Sequence, residues 1–264
     1  MTPEQRQRYA RQIRLDAVQE AGQQRLLNSR VLIVGLGGLG SPAAMYLAAS
    51  GVGRLVVNDF DRVEPSNLQR QIIHRESDIG ELKAASAKHT LRQINPACQV
   101  TALDWQLDEA ELIDEVRAAD LVLDCTDNYA TRFQLNRIAV AEATSLVSGA
   151  AIRLEGQIMA VLPGGPCYQC IYPDDLESQE TCAMEGVLAP LVGVIGGMQA
   201  MQAVQVLAGK GEPLRGLLLL FDGARMAWQQ IRVPPRTDCP VCGDVTASAV
   251  ENSNPDPRSS RPTG

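Results

Sequence analysis

The stretch RVLIVGLGGLGSPAAMYLAAS, residues 30–50, decides the fold. After Arg30 come four aliphatic residues without a polar break, the mark of a strand buried on both faces. SPAAMYLAAS at 41–50 reads as a helix. Between them Gly35-Leu36-Gly37-Gly38-Leu39-Gly40 fits G-x-G-x-x-G. The first glycine permits a tight turn and the second lets backbone N–H groups approach an anion. The N-terminus of the following helix adds partial positive charge. RLVVNDFD at 54–61 reads as the next strand, and Asp59 at its end stands where an acidic side chain takes ribose hydroxyls. Together these features predict a nucleotide loop. The plain alternative is a tight strand–helix turn with no ligand. The loop alone does not separate NAD, FAD and ATP, and the absence of G-x-x-x-x-G-K-[ST] excludes a Walker-type site.

Outward from this stretch, strands and helices alternate. Residues 2–28 are polar and helical in pattern, and 62–80 are irregular. Helices are predicted at 81–94, 108–118 and 129–143, and strands at 98–105, 120–128 and 145–151. Alternation predicts a Rossmann-like α/β fold, a mostly parallel sheet with helices on both faces. The later strands, at 156–162, 216–222 and 226–233, read as coming without intervening helices. They are expected to extend the sheet antiparallel. Residues 1–243 read as a single domain and the Ser/Pro/Asn-rich 244–264 as a disordered tail.

Composition narrows the partners. A net charge of -7 argues against a duplex nucleic-acid binder. The first residues, MTPEQRQRYARQIRL, lack the apolar core of a secretory signal, so a cytoplasmic protein is expected. Residues 186–209 carry no charge and are long enough to cross a bilayer. Gln199, Gln202 and Gln205 recur in that run, and Pro190 and several glycines interrupt it. It reads as a buried core helix rather than a membrane span.

The type of chemistry turns on residues beyond the loop. Ser66-Asn67-Leu68-Gln69-Arg70-Gln71 follows the Asp59-Phe60-Asp61 strand end, Ile79-Gly80-Glu81-Leu82-Lys83 comes next, and Asp124-Cys125-Thr126-Asp127-Asn128 closes a later strand. Hydride transfer has no need of an Arg and a Lys aimed at phosphates. Nucleotidyl transfer does, because charge develops on the α-phosphate and the departing pyrophosphate. Asp127, at a strand's C-terminal end, can hold a magnesium ion against the same phosphates. Each residue alone reads equally well as a solvated surface charge; their joint arrangement is the signal.

In these motifs the chain resembles the ThiF/MoeB/HesA branch of the ubiquitin-activating-enzyme superfamily. The matching text runs from RYARQIRL (8–15) through DFDRVEPSNLQRQ (59–71), IGELKA (79–84), LVLDCTDN (121–128), LVSGAAIRLEGQI (146–158), CYQC (167–170) and APLVGVIGGMQAM (189–201) to CPVC (239–242). The resemblance implies that ATP and Mg2+ are bound and that the C-terminal carboxylate of a ubiquitin-like sulfur-carrier protein, ending in Gly-Gly, is adenylated. It places Gly38 against the ATP phosphates and Asp59 on the ribose. Asn67, Arg70 and Lys83 would reach the phosphates, and Asp127 would take magnesium beside Asn128. Gly35, Gly37, Gly40, Asp61, Ser66, Leu68 and Gln69 complete the implied nucleotide site. Arg11 would enter the partner subunit's site as an arginine finger, which requires a homodimer. SGAAIRLEGQ (148–157) is most similar to the molybdenum-cofactor members, so a MoaD-like carrier is expected, with the thiazole carrier ThiS as the alternative. A Rossmann NAD/FAD oxidoreductase and a noncatalytic scaffold of the same fold are the readings of other classes.

Seven cysteines in a chain without a signal argue for reduced thiols or metal ligands. Cys167, Cys170, Cys239 and Cys242 form two C-x-x-C pairs, which a tetrahedral zinc can join if the fold brings them together. A redox pair or unrelated core cysteines are the alternatives. Cys182 lies in an acidic loop. In the family a cysteine there can serve sulfur transfer, whereas the bland reading is a loop thiol without function. Cys98 and Cys125 read as core residues, and His74 and His89 receive no role. No rhodanese-like stretch follows Cys242, so a separate sulfur donor is expected.

Overall fold

A computed structural model describes residues 1–172, 185–211 and 213–243. Cys182 and residues 244–264 lie outside the described residues.

Three short helices open the chain, α1 (Pro3–Arg8), α2 (Ala10–Ile13) and α3 (Gln19–Asn28). The polar helical pattern at 2–28 is thus broken into pieces. Tyr9 and Val18 turn inward at the breaks and are buried, and Tyr9 Oη accepts from Asn95 Nδ2 at 3.0 Å. There follow β1 (Arg30–Val34), α4 (Gly40–Ser50), β2 (Arg54–Asn58), α5 (Lys83–Ile94), β3 (Gln99–Leu103), α6 (Glu109–Arg117), β4 (Leu121–Asp124) and α7 (Tyr129–Ala141). The last elements are β5 (Ser145–Ile152), β6 (Glu155–Val161), α8 (Ala189–Ala208), β7 (Leu217–Asp222) and β8 (Ala227–Arg232).

The eight strands form one sheet in the order β3-β2-β1-β4-β5-β6-β7-β8. β1 pairs parallel with β2 and β4, β2 with β3, and β4 with β5. β6, β7 and β8 continue it antiparallel, as expected, although α8 lies in the chain between β6 and β7. Alternate side chains of β1 point to opposite faces. Val31 and Ile33 join a core with α4, α5 and α8, while Leu32 and Val34 join a core with α6 and α7. The second core also takes in Cys167, Tyr168, Cys239 and Cys242.

α8 is long and apolar enough to cross a membrane by length and composition. Its place, however, is that of a core helix: Leu191, Ile195, Ala200 and Ala203 pack in the first core. Gln199 is fully buried, and its amide donates to the backbone carbonyls of Asp124 at 2.7 Å and Val147 at 3.3 Å. Strand order reverses between β1 and β4. In open α/β sheets the ligand crevice lies beyond the strands' carboxyl ends at such a point.

Candidate active site

At that switch point a cleft of about 720 Å³ opens. Its walls include Gly35, Gly37, Gly38, Asp59, Asp61, Arg70, Lys83, Asp127 and Asn128, which the sequence had singled out from four separate segments. Gly35 has φ +91°, and a Cβ there would meet the Cys125 carbonyl oxygen at 2.8 Å. A Cβ on Gly40 would stand 1.9 Å from the Gly35 oxygen, so this glycine serves close strand–helix packing. Gly40 is not among the cleft-lining residues. A Cβ on Gly38 would press on Val192 of α8 at 2.9 Å, whereas at Gly37 the first neighbour is Gln71 Nε2 at 3.6 Å.

Asp59 ties the second strand to the loop. Its Oδ2 accepts from the Leu36 N–H at 2.8 Å and its Oδ1 from the Asp61 N–H at 3.0 Å. Burial raises the Asp59 carboxyl above the usual carboxylate range, opposed by the positive charge of Lys83 and by these two N–H donors. Lys83 reaches this corner because the chain folds back on itself. Arg62 and Leu82 form an antiparallel bridge, the Lys83 N–H donates to the Asp61 carbonyl at 2.9 Å, and Gly80 turns the ribbon at φ +89°. The Lys83 side chain is 8% exposed, and its Nζ donates to Asp61 Oδ2 at 2.9 Å, while the Asp61 side chain is 60% exposed. Arg70 Nη1 donates to the Ser66 carbonyl at 3.1 Å.

The rest of the Ser66–Gln69 segment stands off the described cleft wall. Asn67 is buried, and its Oδ1 accepts from the Glu64 N–H at 3.2 Å, capping the turn Pro65–Asn67 that aims Arg70. Asp127 and Asn128 are exposed on the opposite wall. Asn128 caps α7 by accepting from the Thr131 N–H at 2.9 Å. Arg11 is exposed on α2 and is not among the cleft-lining residues.

Three buried polar residues went unassigned in the sequence. Gln71 lines the cleft beside Gly37, and its Oε1 has no hydrogen-bond partner among the described residues. Arg132 also lines the cleft, although 4% exposed, and pairs with the fully buried Asp124 at 2.8 Å. His74, given no role, is buried between the glycine loop and α5. Its Nε2 donates to the Leu36 carbonyl at 3.2 Å, and its Nδ1 lies 2.8 Å from Ser86 Oγ. The one sequence signal for Arg132 was its place one helical turn after Asn128.

On the same face of the sheet as α7, the fold joins the two C-x-x-C pairs. The sulfurs of Cys167, Cys170, Cys239 and Cys242 all lie within 4.8 Å of one another, with Cys167–Cys239 at 3.6 Å and Cys170–Cys242 at 3.4 Å. Tetrahedral zinc with Zn–S bonds of about 2.3 Å needs sulfurs roughly 3.8 Å apart, so the donor set fits that ion. Burial pushes the Cys167 thiol up to about 11, and Cys239 and Cys170 push the same way, which a central dication would reverse.

The ThiF family matches residues 9–241. The chain is 46% identical over 245 residues to the Escherichia coli sulfur carrier protein ThiS adenylyltransferase, covering 92% of this chain and 97% of that one. It is 48% identical over 238 residues to the E. coli molybdopterin-synthase adenylyltransferase, covering 89% and 96%. Among solved structures, E. coli MccB superposes with a TM-score of 0.77 at 23% identity, over 84% of this chain and 68% of that one, a likeness of fold. On the extent of the family match and the identity to these full-length relatives, the chain belongs to the ThiF family.

Proposed function

We propose that this protein uses ATP to adenylate the C-terminal glycine carboxylate of a ubiquitin-like sulfur-carrier protein. The observation that carries the reading is the meeting of the glycine loop, two cations and Asp127 around one cleft, in a chain whose relatives are named as adenylyltransferases. A carrier carboxylate oxygen attacks the α-phosphorus, the bond to the bridging oxygen toward the β-phosphate breaks, and pyrophosphate leaves with that electron pair. The nucleophile is already an anion. What the protein must supply is position and a neutralised leaving group. Gly37 and Gly38 present backbone to the phosphates, Asp59 holds the ribose, and Arg70 and Lys83 meet the charge that develops. Asp127 is an exposed carboxylate on the cleft wall, which suits a magnesium ion that keeps waters and phosphate oxygens as its other ligands. Magnesium bound there would add charge neutralisation. Zinc held by Cys167, Cys170, Cys239 and Cys242 would contribute to folding rather than to the chemistry, because four sulfurs leave no open position.

The homodimer belongs to the same reading. Arg11 is exposed and off the cleft of its own chain, as a residue acting in trans would be. The uncharged outer side of α8 exposes Val194 and Met201, with Tyr46 of α4 nearby, a surface suited to a second copy. Sulfur then comes from a separate donor in the cytoplasm, and Cys182, if it acts, acts after adenylation.

A MoaD-like carrier is the first choice, on the SGAAIRLEGQ stretch. The ThiS-like carrier is the second reading, favoured by a relative of that name at 46% identity. ATP–pyrophosphate exchange measured with one carrier of each class decides between them. A rate at least tenfold higher with the ThiS-like carrier would overturn the first choice.

A further inference from the structure

α7 touches two sites at once. At its N-terminus Asn128 caps the helix, and Asp127 and Asn128 face the nucleotide cleft. One turn in, Arg132 grips what lies just before them. Its Nε donates to Asp124 Oδ2, and its Nη2 donates to the carbonyls of Thr126 and Gly149, all at 2.8 Å. Asp124 in turn accepts from the Thr126 N–H at 3.0 Å and Oγ1 at 2.6 Å, and from Ser148 Oγ at 2.6 Å. Thr126 is therefore held at its N–H, its hydroxyl and its carbonyl, and the next residue is Asp127.

The same guanidinium meets Tyr168 of the first cysteine pair. Tyr168 stands between Cys167 and Cys170 and is 1% exposed. Arg132 Nη1 donates to its hydroxyl at 3.5 Å, and Arg132 Cζ lies 5.6 Å from its ring centroid. Gln157 Nε2 donates to that hydroxyl at 3.2 Å. One turn further along α7, Asn136 Oδ1 accepts from the Tyr168 N–H at 2.9 Å. α7 therefore holds the first knuckle at two points on one side while its end presents Asp127 on the other.

We infer that the cysteine cluster and the nucleotide cleft are energetically coupled through Tyr168 and Arg132, so that a bound metal tightens nucleotide binding and bound nucleotide tightens metal binding. This rests on the reading that the cluster holds zinc and the cleft holds ATP. A metal clamps Cys167 and Cys170, the residues flanking Tyr168, and so fixes its hydroxyl. A fixed hydroxyl holds Arg132, and Arg132 holds the Thr126 carbonyl from which the Asp127 loop departs. Without the clamp each of these groups must be ordered when nucleotide arrives, and that cost weakens binding. Linkage then requires the same factor in both directions. Tyr168 and Arg132 are positioning residues in this scheme.

The test uses the full-length zinc-loaded protein. Its zinc affinity is measured by equilibrium competition with a chromophoric chelator, with and without saturating α,β-methylene ATP and magnesium. Zinc should bind about fivefold more tightly with nucleotide present, the low end of typical coupling, since the Arg132–Tyr168 hydrogen bond is long. Tyr168→Phe keeps the ring and loses only the hydroxyl. It should hold one zinc and bind nucleotide, while the coupling factor falls to about one. Arg132→Lys should lose it as well, and Tyr168→Phe suffices if that variant does not fold. A wild-type protein that binds both ligands with no change in zinc affinity overturns the proposal. So does an undiminished factor in Tyr168→Phe. Failure to bind zinc or nucleotide at all defeats the underlying reading, and the coupling with it.

Discussion

Replacing Lys83 by Met separates catalysis from stability. The side chain keeps its length and loses its charge. In the folded protein the Lys83 side chain is 8% exposed and its ammonium pairs with Asp61, whose side chain is 60% exposed. A pair with one partner in water is worth about 0–1 kcal/mol, so losing it should cost little stability. The lost charge also stops opposing the burial of Asp59, whose carboxyl should rise further above its usual range. Catalysis should suffer far more. Removing one preorganised group that meets developing charge costs roughly 2.7–4 kcal/mol, or about 10²–10³ in rate. The assay pairs carrier-dependent ATP–pyrophosphate exchange with urea denaturation of the same preparation. The expected result is exchange slowed by about 10²–10³ with unfolding free energy changed by no more than about 1 kcal/mol. Undiminished exchange would remove Lys83 from the mechanism. A stability loss above about 3 kcal/mol would mean the residue is structural and the argument from its exposed partner is wrong.

Mixing inactive Arg11→Ala with inactive Asp127→Ala should restore part of the exchange rate, since a mixed dimer rebuilds one complete site; no recovery despite proven subunit exchange counts against action in trans. Elemental analysis should find one zinc per chain, and Cys242→Ser should lose it along with stability, because metal binding here adds folding free energy; a zinc-free native protein contradicts this. Burial lowers the His74 imidazole below its ordinary 6.5, so the unfolded chain binds more protons just below that pH and stability should fall as pH drops through it. His74→Gln should flatten that slope in denaturation series, and an unchanged slope would acquit His74. Cys182→Ala should leave exchange intact, because a carboxylate attacking phosphorus needs no protein nucleophile, and a folded variant without exchange would show otherwise.

The fold was legible because its signals are local. VLIV followed by a glycine turn reads as a buried parallel strand entering a helix. The antiparallel pairings of β5 with β6 and of β7 with β8 follow from the absence of a helix between them, whereas β6 and β7 pair antiparallel even though α8 lies between them. The cleft-facing Asp59, Lys83 and Asp127 were legible because each stands at or beside the end of a strand or helix, and Arg70 because the Ser66–Gln71 motif carries it. What stayed hidden depends on contacts between distant segments. Nothing near Lys83 says that an Arg62–Leu82 bridge folds it against Asp61. The resemblance implies a phosphate contact for Asn67, and nothing local in the sequence says that its side-chain oxygen also caps its own turn. Arg132 carries an ordinary helix-surface letter, and only the juxtaposition of β4, β5 and the first cysteine knuckle buries it. The cysteine pairs were visible as pairs, but their meeting needed α7 and the second core to bring them onto one face.

In the proposed reaction ATP is opened at its α-phosphate by a carrier's terminal carboxylate. Incorporation of labelled pyrophosphate into ATP tests it directly, with an intact Gly-Gly carrier and with the same carrier lacking its last glycine pair. Exchange should require the intact carrier and magnesium and be lost with the truncated one. Exchange independent of the carrier's C-terminus, or none with any Gly-Gly carrier in a folded, zinc-replete protein, would contradict it.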